Sequence, residues 1–411
     1  MSADAAQIAG FLGELGQIGR DERGGWSRLA FSPDERQAHE LFRSRLESYG
    51  LNTWVDAAGN SYGELAGSEE RPALMSGSHL DTVYQGGNFD GAVGVAAAVE
   101  LARLAAQDGG LRHPLRVVAF ASEEGARFGA PCIGSRLATG AYDASTLKAL
   151  SDRDGVTAFD AASESGIAVD DVGSARWDFA DVGCFVEIHI EQGRVLLARD
   201  RGLGVVHSIG GSTRVELTLE GRADHSGATP MWLRQDALAA SAELVLAAER
   251  RAREHATTVA TVGRLDVTPN SMTTVPGQVV LALDVRDIDS ERQRELAEAI
   301  LDDAVRICGG REITLSAREL SDQSPVVLHG TVQTLLASAA ARLDTPFITQ
   351  PSGASHDAAH LAKHVPTGML FVPCRDGISH SPIEHAEPDQ IAVAVDVLAE
   401  AYRAVDAGAR V

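Results

Sequence analysis

Long apolar runs are missing from this 411-residue chain: none approaches the roughly 18 residues that a membrane-spanning helix needs. A charged-then-apolar leader is missing too, so neither insertion nor secretion is indicated and the cytoplasm is the expected compartment. Cysteine is scarce. Cys132, Cys184, Cys308 and Cys374 lie far apart without C-x-x-C spacing and read as reduced, mostly core residues. Positive charge is also in short supply, with 36 Lys and Arg against 58 Asp and Glu. The resulting net charge of -22 repels nucleic acid and anionic membrane and favours solubility. What remains is ordinary for a globular protein, 44% hydrophobic and 23% charged, and the length exceeds one compact core, so two domains are expected.

The stretch Gly77 to Gly91, GSHLDTVYQGGNFDG, follows the apolar run Ala73-Leu74-Met75, which reads as a buried strand. His79 therefore falls where a strand ends, and Asp81, two residues on, shares its side if the backbone stays extended. That arrangement suits a metal-ligating imidazole with an orienting carboxylate or a second ligand. Asp90 sits between Gly86-Gly87 and Gly91, and a carboxylate, unlike a lone imidazole, can bridge two cations. A short H-x-D match is common, however, and fits equally a polar loop capping the next helix, Ala92 to Ala106.

Partners appear farther along. Arg116 to Phe120 is a second short strand pattern and delivers Ser122-Glu123-Glu124-Gly125, two adjacent carboxylates that are costly without a cation. Phe185 to Gly193 places His189 at the end of a third, and Met369 to Pro373 precedes Gly377-Ile378-Ser379-His380-Ser381-Pro382. Four strand ends thus each present a His, Asp or Glu, and in open α/β sheets ligands bind at such ends.

These four segments, in this order, resemble the binuclear-metal amidohydrolases of the N-carbamoyl-L-amino-acid hydrolase family, whose relatives include allantoate amidohydrolase, ureidoglycolate amidohydrolase and β-ureidopropionase. The resemblance runs from about Gly50 to about Asp389. It implies His79 and His189 as terminal ligands on one and the other metal, Asp90 as the bridge, and Glu124 and His380 completing the set. Glu123 matches the catalytic base, with Asp81 beside it. The sequence HIEQG at 189–193 separates the chain from related aminoacylases and small-peptide peptidases, which usually carry a carboxylate ligand there. Two divalent ions per subunit, manganese, zinc, cobalt or nickel, are implied.

In chain order, Ile8, Leu12, Leu15 and Ile18 mark one helical face, and Ser32-Pro33 begins a second helix that Gly50 stops. Asn52 to Leu65 reads as a hairpin around Ala58-Gly59-Asn60. Ser151 to Asp181 is acidic and weakly patterned, a solvated face with no assigned role. From Arg214 the order changes: strand to Leu219, helix Asp236 to Arg251, strands Thr257 to Val267 and Gln278 to Asp287, helix Ser290 to Ile307, strand Glu312 to Leu320. That βαββαβ order describes a four-stranded antiparallel sheet with two helices on one face. The expected architecture is therefore an α/β, layered mixed-sheet, metallopeptidase-like catalytic domain, residues 1–211 and 327–411, with an inserted α+β lid and dimerisation domain at 212–326.

In the strand Gln278 to Asp287, Val279, Leu281, Leu283 and Val285 should face the lid helices, leaving Arg286 with the opposite parity. From the residues alone it is an exposed sheet-face arginine. The resemblance implies that Arg286 grips a substrate carboxylate, that Asn270 assists, that Gln192 lies near the scissile ureido group, and that His225 reaches the active site of a partner subunit. A homodimer is implied, paired through an exposed lid edge that is either Arg214 to Leu219 or Glu312 to Leu320. Ser226 and Ser355 replace residues common in relatives, and Pro269 to Gly277 lacks the second asparagine of PN-x-x-NV-x-PG, departures that bear on the substrate rather than on the reaction class. The implied reaction is hydrolysis of an N-carbamoyl-L-amino acid to the amino acid, ammonia and carbon dioxide. Allantoate, ureidoglycolate or β-ureidopropionate chemistry is the alternative, and an aminoacylase or peptidase on the same scaffold a more distant one.

Overall fold

The computed structural model describes residues 2–411, which divide into two compact units: the residues up to His207 together with Leu328–Val411, and Ser208–Val327. Among the described residues no helix is long and apolar enough to cross a membrane. All four cysteines are free and buried.

Two capped helices open the larger unit. Asp4 caps Ala5–Leu15, which turns Ile8, Phe11, Leu12 and Leu15 inward, and Ser32 caps Pro33–Ser48, whose proline occupies the first turn, where its missing N–H costs nothing. The hairpin Asn52–Val55 with Ser61–Leu65 follows, its turn made by Gly59 at φ +88°. Four parallel strands then form the middle of the sheet, in the order Leu115–Phe120, Ala73–His79, Val182–Ile190 and Thr367–Val372. Ser61–Leu65 and Leu203–Ile209 flank them antiparallel. Every residue of Ala73–His79 is buried, so both faces of that strand are covered, as a parallel sheet requires. From Ala73–His79 the chain passes through the buried helix Ala92–Gln107 to the neighbour on one side and only later crosses to the neighbour on the other. Strand order therefore reverses at Ala73–His79, and the crevice at its carboxyl end is where such sheets receive ligands. The acidic segment Ser151 to Asp181 is more ordered than its pattern indicates. Thr157 caps a helix at Ala158–Glu164, and Ala161, Ala162, Val169 and Val172 pack into a small core with Phe128 and Ile133.

In the smaller unit the sheet order is Thr314–Gln323, Gly211–Glu220, Gln278–Asp287, Val259–Thr268, all antiparallel. The helices Ala237–Ala252 and Ser290–Gly310 cover one face, burying Val279, Leu281, Leu283 and Val285 among Leu244, Ile300 and Ile307. One of the two expected edges is not an edge: Arg214 to Leu219 pairs on both sides, with Gln278–Asp287 and with Thr314–Gln323. The edges are Thr314–Gln323 and Val259–Thr268, and most of their residues are exposed.

Candidate metal centre

At the carboxyl ends of the four parallel strands the side chains converge. His79 and His189 end neighbouring strands and are almost fully buried, as are Asp81, Asp90 and Glu123. Asp90 is the hub: its Oδ1 lies 3.1 Å from His189 Nε2 and 3.7 Å from His79 Nε2, while its Oδ2 lies 3.3 Å from His380 Nε2. His380 Nε2 is also 3.3 Å from Glu124 Oε2. Two groups result, His79–Asp90–His189 and Asp90–Glu124–His380, sharing Asp90. The expectation that His79 and His189 serve different metals is corrected by this grouping. Both face one oxygen of Asp90, because their strands are adjacent in the sheet although more than a hundred residues separate them in the chain.

Both imidazoles turn Nδ1 to a backbone carbonyl and Nε2 toward Asp90. His79 Nδ1 lies 3.2 Å from the Asp81 carbonyl and His189 Nδ1 2.9 Å from that of Ile190, while His189 Nε2 accepts the Gly91 N–H at 3.2 Å. A ring N–H held by a carbonyl puts the lone pair on the other nitrogen, the one that at His189 accepts the Gly91 N–H. Gly91 is required here: at φ +66° a side chain would be strained, and its Cβ would stand 2.4 Å from the His79 ring. Asp81 works from behind, with Oδ1 and Oδ2 each accepting a backbone N–H, from Glu123 and Glu124, both at 2.9 Å. It thereby joins the His79 strand end to the carboxylate pair and is a positioning residue.

The electrostatics call for added positive charge. Burial opposes charging of His79, but Asp81, Asp90 and Glu123 outweigh it and hold its pKa well above the usual imidazole range. Burial likewise opposes ionisation of Asp90, yet the histidines, His189 foremost, hold its carboxyl well below the usual range. Glu123 is raised by burial, and Glu124 is pushed well up by burial and then by the charges of Asp90 and Glu123. Mixed imidazole and carboxylate donors with surplus acid beside them are a fitting set for divalent cations, which relieve that repulsion.

Gln192 joins the same centre, donating from Nε2 to Asp90 Oδ2 at 2.6 Å, and its Oε1 is buried without a partner. Asn270, Arg286 and His225 belong to the smaller unit. Asn270 is exposed with φ +51°, and Arg286 is half-buried with Nε and Nη2 on Asp284 Oδ2 at 3.1 and 2.9 Å. His225 is exposed, and its Nδ1 accepts the N–H groups of Gly227 and Ala228 at 3.0 and 3.1 Å, which puts the neutral ring's proton on Nε2.

Glu384 escapes sequence reasoning. Buried four residues past His380, it accepts the N–H of Phe89 (2.9 Å), Asp90 (2.8 Å) and His380 (3.1 Å) and the hydroxyl of Ser379 (3.0 Å). It thus ties the Asp90 loop to the His380 loop, a role visible only once residues 295 apart have met. We expect Glu384→Gln to weaken metal retention about 10–100-fold while the protein stays folded, as read by metal analysis after dialysis. Unchanged metal content would remove Glu384 from this role. A third cluster, Glu187, His189 and His356, backs the His189 ring. Its groups are already engaged, Glu187 by the Ser78 hydroxyl and Ala358 N–H and His356 by the Ser352 hydroxyl, so it supports the site rather than adding to it.

Residues 75–404 match the family described as peptidase family M20/M25/M40. The chain belongs to that family. An N-carbamoyl-L-amino acid amidohydrolase of Geobacillus stearothermophilus is 39% identical over 94% of this chain and 95% of its own length. The allantoate amidohydrolase of Escherichia coli (strain K12) is 34% identical over 94% of both. A crystal structure of an amidase of the hydantoinase/carbamoylase family from Burkholderia multivorans superposes with a TM-score of 0.91 at 32% identity, covering 97% of each chain. This M20 member is thus a hydrolase of C–N bonds, as its motifs indicate. M20 enzymes use divalent metals, and the two groups sharing Asp90 are candidate places for them.

Proposed function

We propose that the chain hydrolyses the ureido C–N amide bond of an N-carbamoyl-L-amino acid, releasing the amino acid, ammonia and carbon dioxide. The observation that carries this reading is the pair of ligand groups sharing Asp90, in a chain whose relatives over nearly their whole length are amidohydrolases of that name. Two divalent ions, manganese, zinc, cobalt or nickel, would be held by His79, Asp90 and His189 and by Asp90, Glu124 and His380. When bound, such ions supply Lewis acidity, polarising the carbonyl and making water more acidic.

The protein's own groups do the rest. Glu123 takes a proton from the attacking water and returns it to the leaving nitrogen. Its Oε1 accepts the Cys132 thiol at 3.1 Å, which leaves Oε2, 3.8 Å from His79 Nε2, as the oxygen turned to the centre. Gln192 stands beside Asp90 to orient the ureido group. Arg286 offers its guanidinium to the substrate carboxylate, with Asp284 fixing the plane of the fork and Asn270 assisting. His225, protonated on Nε2, is a donor suited to the developing oxyanion. Ammonia release from N-carbamoyl-L-amino acids that depends on added divalent metal tests the reading.

The active enzyme is, in the same reading, a homodimer in which each site receives His225 from the other subunit. Its support is the exposed edge strands Thr314–Gln323 and Val259–Thr268, since an unpaired edge is a liability that a two-fold mate can cover. Mixing inactive His225→Ala with inactive Glu123→Gln subunits should restore activity, because each heterodimer regains one complete site. Inactive mixtures containing verified heterodimers would contradict shared sites.

A further inference from the structure

Ser32 and Glu35 have the S-x-x-E spacing of a capping box, in which the serine side chain caps the helix and the glutamate reaches back to the serine N–H. Only half of that box is built. Ser32 Oγ accepts the Glu35 N–H at 3.2 Å, but the Ser32 N–H goes to the Leu29 carbonyl at 2.9 Å, and the Glu35 side chain leaves its helix. Glu35 is 3% exposed. Its Oε2 accepts the Phe31 N–H at 2.5 Å, and its Oε1 accepts the N–H of Ser122 at 2.8 Å, 87 residues away and directly before Glu123.

Both residues it holds have left-handed backbones, Phe31 at φ +55° and Ser122 at φ +62°. Such a conformation is strained for a non-glycine residue and persists only where the surroundings enforce it. The segment around Ser122 is enforced at every amide. Asn60 Oδ1 takes the Ala121 N–H at 3.0 Å, Glu35 takes that of Ser122, and Asp81 takes those of Glu123 and Glu124. Asp81 also touches His79, but Glu35 lies outside the ligand set and meets the strained residue itself.

We propose that Glu35 is a positioning residue for catalysis: its carboxylate pins Ser122 in the left-handed conformation that turns the Glu123 side chain toward the metal centre. Given the hydrolysis proposed above, on which this rests, loss of the clamp lets Ser122 relax and displaces the base, while the substrate contacts and the metal ligands are left in place. Glutamine is the sharpest replacement, because its amide NH2 must face one of the two N–H donors that the carboxylate accepts.

The test measures kcat, KM, metal content and melting temperature for wild type, Glu35→Gln and the double variant Glu35→Gln/Ser122→Gly, with crystal structures of wild type and Glu35→Gln. For Glu35→Gln we expect kcat to fall by about a hundredfold, the cost of misplacing a reacting group by about an ångström, with KM and metal content close to wild type. Glycine at 122 takes φ > 0 without strain, so the double variant should recover about tenfold in kcat. A kcat that is unchanged, or that falls only in proportion to lost metal or folded protein, or that glycine does not recover, overturns the proposal. If wild type releases no ammonia from ureido substrates, the substrate reading fails and the crystal structures decide: a displaced Ser122–Glu123 segment in Glu35→Gln upholds the clamp, and an unmoved one refutes it.

Discussion

Glu123→Gln should retain its metals and lose nearly all turnover. The amide keeps the shape of the side chain and can still accept the Cys132 thiol, so the buried wall around it is undisturbed. What it lacks is basicity. A neutral amide cannot take the proton of the attacking water, and loss of a general base costs about 10²–10⁴-fold in rate. Burial raises the Glu123 carboxyl, and a cation nearby would act in the opposite sense by favouring its ionised, proton-accepting form. The check is metal analysis beside steady-state kinetics. A variant that is empty of metal, or one that keeps its kcat, takes Glu123 out of the base role.

Arg286→Ala should lose substrate affinity on a comparable scale. The guanidinium rests its Nε and Nη2 on Asp284, and Arg214 lies 3.4 Å from the same carboxylate, so truncation leaves Asp284 a remaining cation and should not unfold the smaller unit. The substrate carboxylate, by contrast, would be left without its partner. Removing one member of a desolvated charge pair costs about 3–5 kcal/mol, or about 10²–10⁴-fold in kcat/KM. An N-carbamoyl amine that lacks the carboxylate provides the control, because the substitution should make no difference to it. Equal losses on both substrates would mean damage to the unit rather than loss of a grip.

Much of this site is legible in the chain because strand ends announce themselves. Short apolar runs that lead toward His79, Glu123-Glu124, His189 and His380 single out candidate donors before any contact is known. What the one-dimensional pattern does not carry is adjacency. That His79 and His189 face one oxygen of Asp90 follows from the sheet order, in which Ala73–His79 and Val182–Ile190 lie side by side although Leu115–Phe120 comes between them in sequence. Arg214 to Leu219 is an inner strand for the same reason, since alternation says which face is buried but not how many neighbours a strand has. Glu384 is a single carboxylate with no spacing signal, and the S-x-x-E spacing of Glu35 points to a helix cap rather than to Ser122. Their roles come from backbone amides hundreds or tens of residues away, and a satisfied amide leaves no mark on the sequence.

The most direct measurement of the central claim is a comparison of kcat/KM, with manganese or zinc supplied, over N-carbamoyl-L-amino acids, allantoate, N-acetyl-L-amino acids and dipeptides, reading ammonia for the first two and free amino acid for the others. Cleavage of the ureido substrates with ammonia release, abolished by chelation and restored by metal, and little or no turnover of the acetyl and peptide bonds, is the predicted result. Preferred cleavage of N-acetyl-amino acids or dipeptides, or ammonia release indifferent to chelation, would contradict it.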